Sequence, residues 1–314
     1  MMKSAAKGAK ECKPIVMSEK GLSPQPRLTR RGLFKYGFRL SILALLGFGF
    51  AGRNNLKTEH VALRFSNLPE RFDGFRIVQI SDLHASFWVG KEYLARAIDQ
   101  VNALSKDMVV ITGDIITGSV NDFWKRWRPT AGGDYIPMVI GALNRLESGP
   151  KLAVLGNHDQ WDGKETENRL VTELQHIGID VLRNRSKTLT RGNDHIVFAG
   201  TDDVWFSYNI DLALKEAPPD DFTIVLCHSP DVRDDLNARR KVELALCGHT
   251  HGGQVAVPCL SHRFIPINNP ARYLAGLVKE PYGYTYVNRG IGTLVFPFRI
   301  GASPEITLLK LFRA

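Results

Sequence analysis

Six short apolar runs in this 314-residue chain each stop at residues that can hold a cation or a phosphate. Arg76–Ser81 runs into Asp82-Leu83-His84, Met108–Thr112 into Gly113-Asp114, and Leu152–Leu155 into Gly156-Asn157-His158-Asp159. Ile196–Ala199 leads to Thr201-Asp202-Asp203, Thr223–Cys227 to His228, and Val242–Leu246 to Gly248-His249-Thr250-His251. Runs this apolar suit strands covered on both faces. Between them lie helical patterns: Tyr93, Leu94, Ala97, Ile98 and Val101 recur every three or four residues, and Pro137 stands where a first turn accepts it, ahead of Met138–Leu146. Tyr284–Val287 and Ile306–Leu311 read as further strands returning to the sheet. Strand–helix alternation predicts an α/β layered fold. Such sheets bind ligands beyond the carboxyl ends of their strands, where five of the nine histidines fall.

The residue types at those exits point to metal chemistry. Asp82 and His84, two apart in extended chain, project to one side and can grip one cation. Asp114 is a carboxylate able to bridge two cations, and Gly113 before it lets the chain turn sharply. Asn157 supplies a neutral amide oxygen, while His249-x-His251 presents two imidazoles that can reach one metal each. Mixed nitrogen and oxygen ligands suit Mn²⁺, Fe or Zn²⁺ and disfavour Mg²⁺ or Ca²⁺. Two metals about 3.5–4 Å apart stabilise attacking and leaving oxygens in a phosphoryl displacement. One Asp-x-His alone would be an ordinary surface pair; five ordered blocks after predicted strands make a metal site.

The blocks Asp82-x-His84, Gly113-Asp114, Gly156-Asn157-His158-Asp159, His228 and Gly248-His249-x-His251 resemble the signature of the calcineurin-like metallophosphoesterase superfamily. Flanking residues, among them Thr201-Asp202-Asp203, Gly252-Gly253-Gln254 and Arg289-Gly290-Ile291-Gly292, are similar to its bacterial YkuE-like branch. The resemblance implies a four-layer αββα sandwich with a binuclear metal site at the strand ends. It assigns Asp82, His84, Asp114 and His251 to one divalent ion, and Asp114, Asn157, His228 and His249 to the other. His158 is then left to protonate the leaving group after a metal-bridging hydroxide attacks phosphorus. Some family members orient that histidine with an aspartate three residues after the bridging one; here the position is Thr117, and Asp159 and Asp202 are the candidates instead. Asp202 and Asp203 read equally as residues behind the site or as helix caps. Arg289 reads equally as a phosphate contact or a loop residue.

The expected function is hydrolysis of an envelope- or lipid-related phosphoester, by a phosphodiesterase or pyrophosphatase. Alternatives are a UDP-diacylglucosamine pyrophosphatase-like enzyme of lipid A synthesis, and a metal-dependent envelope binding protein without catalysis. Retention of His158 weighs against the binder, which needs the ligands but not the acid.

The net charge of +9 does not signal nucleic acid. Residues 1–57 hold 12 Lys/Arg and 2 Asp/Glu, so the body, 58–314, is nearly neutral and lacks a basic stripe. Within the leader, Thr29-Arg30-Arg31-Gly32-Leu33-Phe34-Lys35 precedes thirteen uncharged residues, Leu40–Gly52. That length fits a signal core of about 7–15 residues and falls short of the about 20 a membrane span needs. The arginine pair resembles a twin-arginine signal, with Leu33-Phe34 in place of Phe-Leu. The expectation is export or membrane anchoring through this segment, with the body facing the periplasm or envelope. Gly49-Phe50-Ala51 is the best cleavage candidate, and Met17 is an alternative start. Cys12, Cys227, Cys247 and Cys259 form no Cys-x-x-Cys pair; Cys227 and Cys247 read as buried free thiols, with a disulfide between them as the alternative.

All five tryptophans follow motif strands: Trp88, Trp124, Trp127, Trp161 and Trp205, with Phe87, Phe123 and Phe206 alongside. Either each ring packs under its own loop, or together with Lys125, Arg126 and Arg128 they rim the site and receive an amphipathic, anionic substrate or a bilayer surface.

Overall fold

The computed structural model describes residues 30–118, 133–147, 149–256, 261–294 and 296–314. The chain divides into two units, Met1–Ala44 and Leu45–Ala314. The arginine pair and the apolar segment lie on one continuous helix, α1 (Arg30–Gly52), and the division falls inside it. Phe34, Tyr36, Phe38, Leu40 and Leu43 are exposed along it. Among the described residues, no helix is long and apolar enough to cross a membrane.

The second unit is built on two six-stranded sheets. One has the order β1 (Lys57–Phe65), β12 (Glu305–Arg313), β2 (Arg76–Ile80), β3 (Met108–Thr112), β4 (Lys151–Val154) and β5 (Asp180–Val181). The other runs β10 (Gly276–Glu280), β11 (Gly283–Val287), β9 (Leu244–Cys247), β8 (Thr223–Leu226), β7 (Asp194–Gly200) and β6 (Arg185–Arg191). The motif-bearing strands β2, β3 and β4 pair in parallel, as do β7, β8 and β9, so their carboxyl ends share one edge of each sheet.

The two-residue side-chain period explains the layering. Ile77, Met108, Val110, Leu152 and Val154 face inward and meet Ile196, Phe198, Ile224, Leu226, Leu244 and Leu246 of the opposite sheet. The alternate residues Val78, Ile80, Val109, Ile111 and Ala153 face outward onto Leu94, Ile98, Val139, Leu143, Leu170 and Leu174 of three helices. On the far side Val197, Val225 and Ala245 are covered by Ile210, Leu214, Val232 and Leu236. Helix, sheet, sheet and helix make the expected four layers, and strands buried on both faces read as unbroken apolar runs for that reason.

Several elements had no sequence signal. β6, Arg-Ser-Lys-Thr-Leu-Thr-Arg, is an edge strand with little apolar character, and so is β1 with its partly exposed alternation. The helix expected over Met138–Leu146 spans Ile136–Leu143. At the centre, buried Gln79 of β2 donates to Thr112 Oγ1 at 3.0 Å and to the Cys247 carbonyl at 2.9 Å. That amide ties the two sheets together beside the strand ends that carry the site.

Candidate metal and phosphoester site

The strand exits converge. Asp82, His84 and His251 form one buried cluster; Asp114, His228 and His249 form another; His84, Asp114 and His158 form a third that joins them. Asp114 is the shared member. Its Oδ2 stands 3.4 Å from His84 Nε2 and 3.1 Å from His228 Nε2. On one side His251 Nε2 lies 3.0 Å from His84 Nε2 and 3.3 Å from Asp82 Oδ1. On the other, His249 Nδ1 lies 3.2 Å from His228 Nε2. Asn157 is buried, lines the same cavity, and its Oδ1 has no hydrogen-bond partner among the described residues. Asp114 thus stands between the two donor groups.

This arrangement has a conformational cost. Five of the seven expected ligands, Asp82, His84, Asp114, His249 and His251, have positive φ, between 47° and 72°. Each such residue costs on the order of 1–3 kcal/mol and persists only where its surroundings hold it. The holding contacts are backbone bonds between neighbouring loops: Asp82 N to Gly113 O at 2.9 Å, His84 N to Asp114 O at 2.9 Å, and Gly292 N to Asp82 O at 2.7 Å. Gly248 is obligatory for a separate reason, since a Cβ there would stand 2.0 Å from Ser81 Oγ and 2.3 Å from Asp82 Oδ2.

The electrostatics favour neutral imidazoles at His84, His249 and His251 but not at His228. Burial presses the His84 and His251 pKa values well below the ordinary range and His249 down to about 3. Burial opposes charge on His228 as well, but the adjacent Asp114 carboxylate outweighs it and holds that pKa well above the usual value. Asp82, chiefly through burial, is pushed up to about 6. The residues fit a metal centre. Two nitrogens that share a cation at about 2.0–2.1 Å stand about 3 Å apart, as the paired imidazoles do here, and the Asn157 oxygen is free among the described residues to serve as a further ligand.

The orienter of His158 differs from both sequence candidates. Its Nδ1 bonds the backbone carbonyl of Thr117 at 2.6 Å, while the Thr117 hydroxyl donates to the His84 carbonyl. Asp159 instead accepts from Ile115 N, Ile116 N and Gly156 N, stapling two ligand loops together. Asp202 is occupied by Arg183 through two 2.8 Å bonds. Neither Asp202 nor Asp203 caps a helix; Asp203 accepts from Trp205 N at 3.0 Å. Arg289 is a loop anchor, tied to Glu59, Glu305 and the Ser303 carbonyl.

The residue that sequence reasoning missed is Arg299. It is buried, lies behind His251, and carries no motif that could have announced it. Among the described residues, the aromatic side chains divide between two places. Trp161 and Trp205 line the cavity, whereas Trp88 packs near Arg53, Tyr93 and Ile291. Phe123, Trp124, Lys125, Arg126, Trp127 and Arg128 lie outside the described residues. Cys227 and Cys247 are buried free thiols rather than a disulfide, and Cys12 and Cys259 are outside the described residues.

Residues 75–253 match the calcineurin-like phosphoesterase family. The uncharacterized metallophosphoesterase YkuE of Bacillus subtilis is 32% identical over 272 residues, covering 84% of this chain and 90% of its own length. Phosphodiesterase YaeI of Escherichia coli K12 is 31% identical over 240 residues, covering 76% of this chain and 82% of its own length. With the motifs folded into one buried constellation and the match spanning most of the second unit, the chain belongs to the calcineurin-like phosphoesterase family and is a hydrolase of phosphoester bonds.

Proposed function

We propose that the chain hydrolyses a phosphodiester of the cell envelope. Asp82, His84, Asp114 and His251 would hold one divalent ion, and Asp114, Asn157, His228 and His249 the second. The observation that carries this reading is the position of Asp114 Oδ2, within 3.4 Å of His84 Nε2 and 3.1 Å of His228 Nε2. When bound, Mn²⁺, Fe or Zn²⁺ ions supply Lewis-acid neutralisation of the phosphoryl group. His158 is the proton donor to the leaving oxygen. The Thr117 carbonyl holds a proton on His158 Nδ1, so exchange with substrate falls to Nε2. Trp161 lies against that ring, centroids 4.0 Å apart, and limits its rotation and its access to water.

A diester fits better than a monoester. Among the described residues that line the cavity there is no Lys or Arg to meet the second charge of a monoester. A relative named as a phosphodiesterase points the same way. The envelope setting, by export or by anchoring, is supported by the Arg30-Arg31 pair and the exposed apolar side chains of α1. The test compares bis(p-nitrophenyl) phosphate with p-nitrophenyl phosphate, using full chain loaded with Mn²⁺ and the same chain stripped by chelator. Diester turnover should exceed monoester turnover and vanish on stripping. The opposite ranking would overturn the diester reading, and activity without metal would overturn the metal assignment.

A further inference from the structure

The cavity at the site has about 260 Å³ of space, and beyond its reactive end it is almost wholly apolar. Asp114, Asn157, His158 and His249 form that end. Trp161, Trp205, Phe264, Ile265, Leu294 and Phe296 supply the walls. The two indoles are parallel within 14°, with centroids 6.3 Å apart, and each rests on an imidazole of the site. Trp161 lies on His158, and Trp205 meets His249 edge-on at 5.3 Å. The walls therefore begin where a scissile phosphate would sit.

The polar side chains of the walls are already engaged. Gln254 donates to the carbonyls of Leu294 at 2.8 Å and Phe296 at 3.0 Å, and its Oε1 accepts from Leu294 N at 2.7 Å. Thr250 Oγ1 donates to the Leu274 carbonyl at 2.7 Å. Gln254 thus builds the apolar loop rather than reading a substrate. Outside the reactive end, no charged side chain lines the space among the described residues. A sugar or a second phosphate placed here would lose water and find no charged side chain on the walls among the described residues, which is costly for each buried polar group. An alkyl or aryl group would gain from burial. Phe264 and Phe296 are 77% and 58% exposed, so apolar wall surface remains uncovered.

We propose that this cavity is the subsite for one ester substituent of the substrate, and that the substituent is an uncharged apolar group. The proposal rests on the phosphodiesterase reading above and narrows it. Trp161, Trp205 and Phe296 are then the specificity-determining residues, holding the apolar group so that its phosphate lies between Asp114 and His158.

The test uses alkyl p-nitrophenyl phosphodiesters with methyl, butyl and octyl groups, so that the leaving group is constant and only the second substituent varies. Thymidine 5′-p-nitrophenyl phosphate serves as the bulky polar comparison. With the Mn²⁺-loaded full chain, kcat/KM should rise about tenfold or more from methyl to butyl, and the thymidine ester should fall below butyl. In Phe296→Ala and Trp161→Ala the octyl-to-methyl ratio should drop several-fold. Phe264→Ala, at a ring too exposed to endanger folding, should lower the same ratio. A flat alkyl series with normal release of nitrophenolate, or a thymidine ester faster than octyl, would overturn the subsite and leave the phosphodiesterase reading standing. Release from none of the diesters would remove that reading and the subsite with it.

Discussion

Arg299 holds His251 from behind: its Nη1 donates to the His251 carbonyl at 2.9 Å, and its Nη2 lies 3.2 Å from His251 Nδ1. The same guanidinium reaches the carbonyls of Arg289 at 2.8 Å, Gly290 at 3.3 Å and Gly292 at 3.2 Å. Burial pulls its pKa down to about 10, so it stays charged at neutral pH. Arg299→Met would strand several buried carbonyls, each at about 1–3 kcal/mol. The expected outcome is a Tm lower by at least about 5 °C. Metal affinity should fall about 10–100-fold, the usual effect of removing a group that supports a ligand. Scanning calorimetry and metal competition read both, and a variant with wild-type values would show that Arg299 does not position His251.

The end of α1 is part of this support. Arg299 N donates to the Gly49 carbonyl at 2.9 Å, and Tyr93 OH donates to the Arg53 carbonyl at 3.1 Å. A Cβ on Gly52 would stand only 2.2 Å from the Arg299 carbonyl. A chain starting at Leu45 should therefore melt several degrees above one starting at Asn54. Equal melting temperatures would mean that the last turns of the helix contribute nothing to the body.

Asp114 and His158 should separate under mutation. Asp114→Asn removes the carboxylate facing both donor groups, and should abolish activity and lower bound metal measured by elemental analysis. His158→Asn should keep the metal and slow turnover about 10²–10⁴-fold for esters with poor leaving groups. Loss of metal in His158→Asn would make His158 a ligand rather than an acid.

Cys227 and Cys247 should be inert in the folded protein. Both are fully buried, and burial pushes the Cys227 thiol up to about 12 and Cys247 well above its ordinary value. Thiolate is the reactive form, so iodoacetamide at pH 8 should leave both unmodified until denaturant is added. Peptide mapping distinguishes them from Cys12 and Cys259, and native-state labelling of either buried thiol would contradict the burial argument.

Replacing Arg30 and Arg31 together with Lys keeps the charge but removes the guanidinium pair, which the twin-arginine pathway reads. Fractionation should show the double-Lys chain retained in the cytoplasm. Unchanged export would leave a simple anchor or a general signal.

Much of this protein is legible along the chain because its strands are buried on both faces, and such strands must be apolar throughout. Each run then ends where backbone leaves the core, so Asp82, Asp114, Asn157, His228 and His249 stand out against the residues before them. The order of those blocks was enough to point to the layered fold and to hydrolysis of phosphoester bonds. Partners that act through backbone were invisible, because a carbonyl leaves no mark on the residue that bears it. The Thr117 carbonyl on His158 is one case, and the backbone bonds between loops that hold positive-φ Asp82, His84 and Asp114 are another. Arg299 was equally hidden, since a buried arginine distant in sequence from every motif gains its role only when loops 251, 289–292 and 299 meet. Side-chain chemistry set what the site can bind. Folding decided that Trp161 and Trp205 wall the cavity while Trp88 packs elsewhere, because a ring's neighbours depend on how its loop packs against loops far away in the chain.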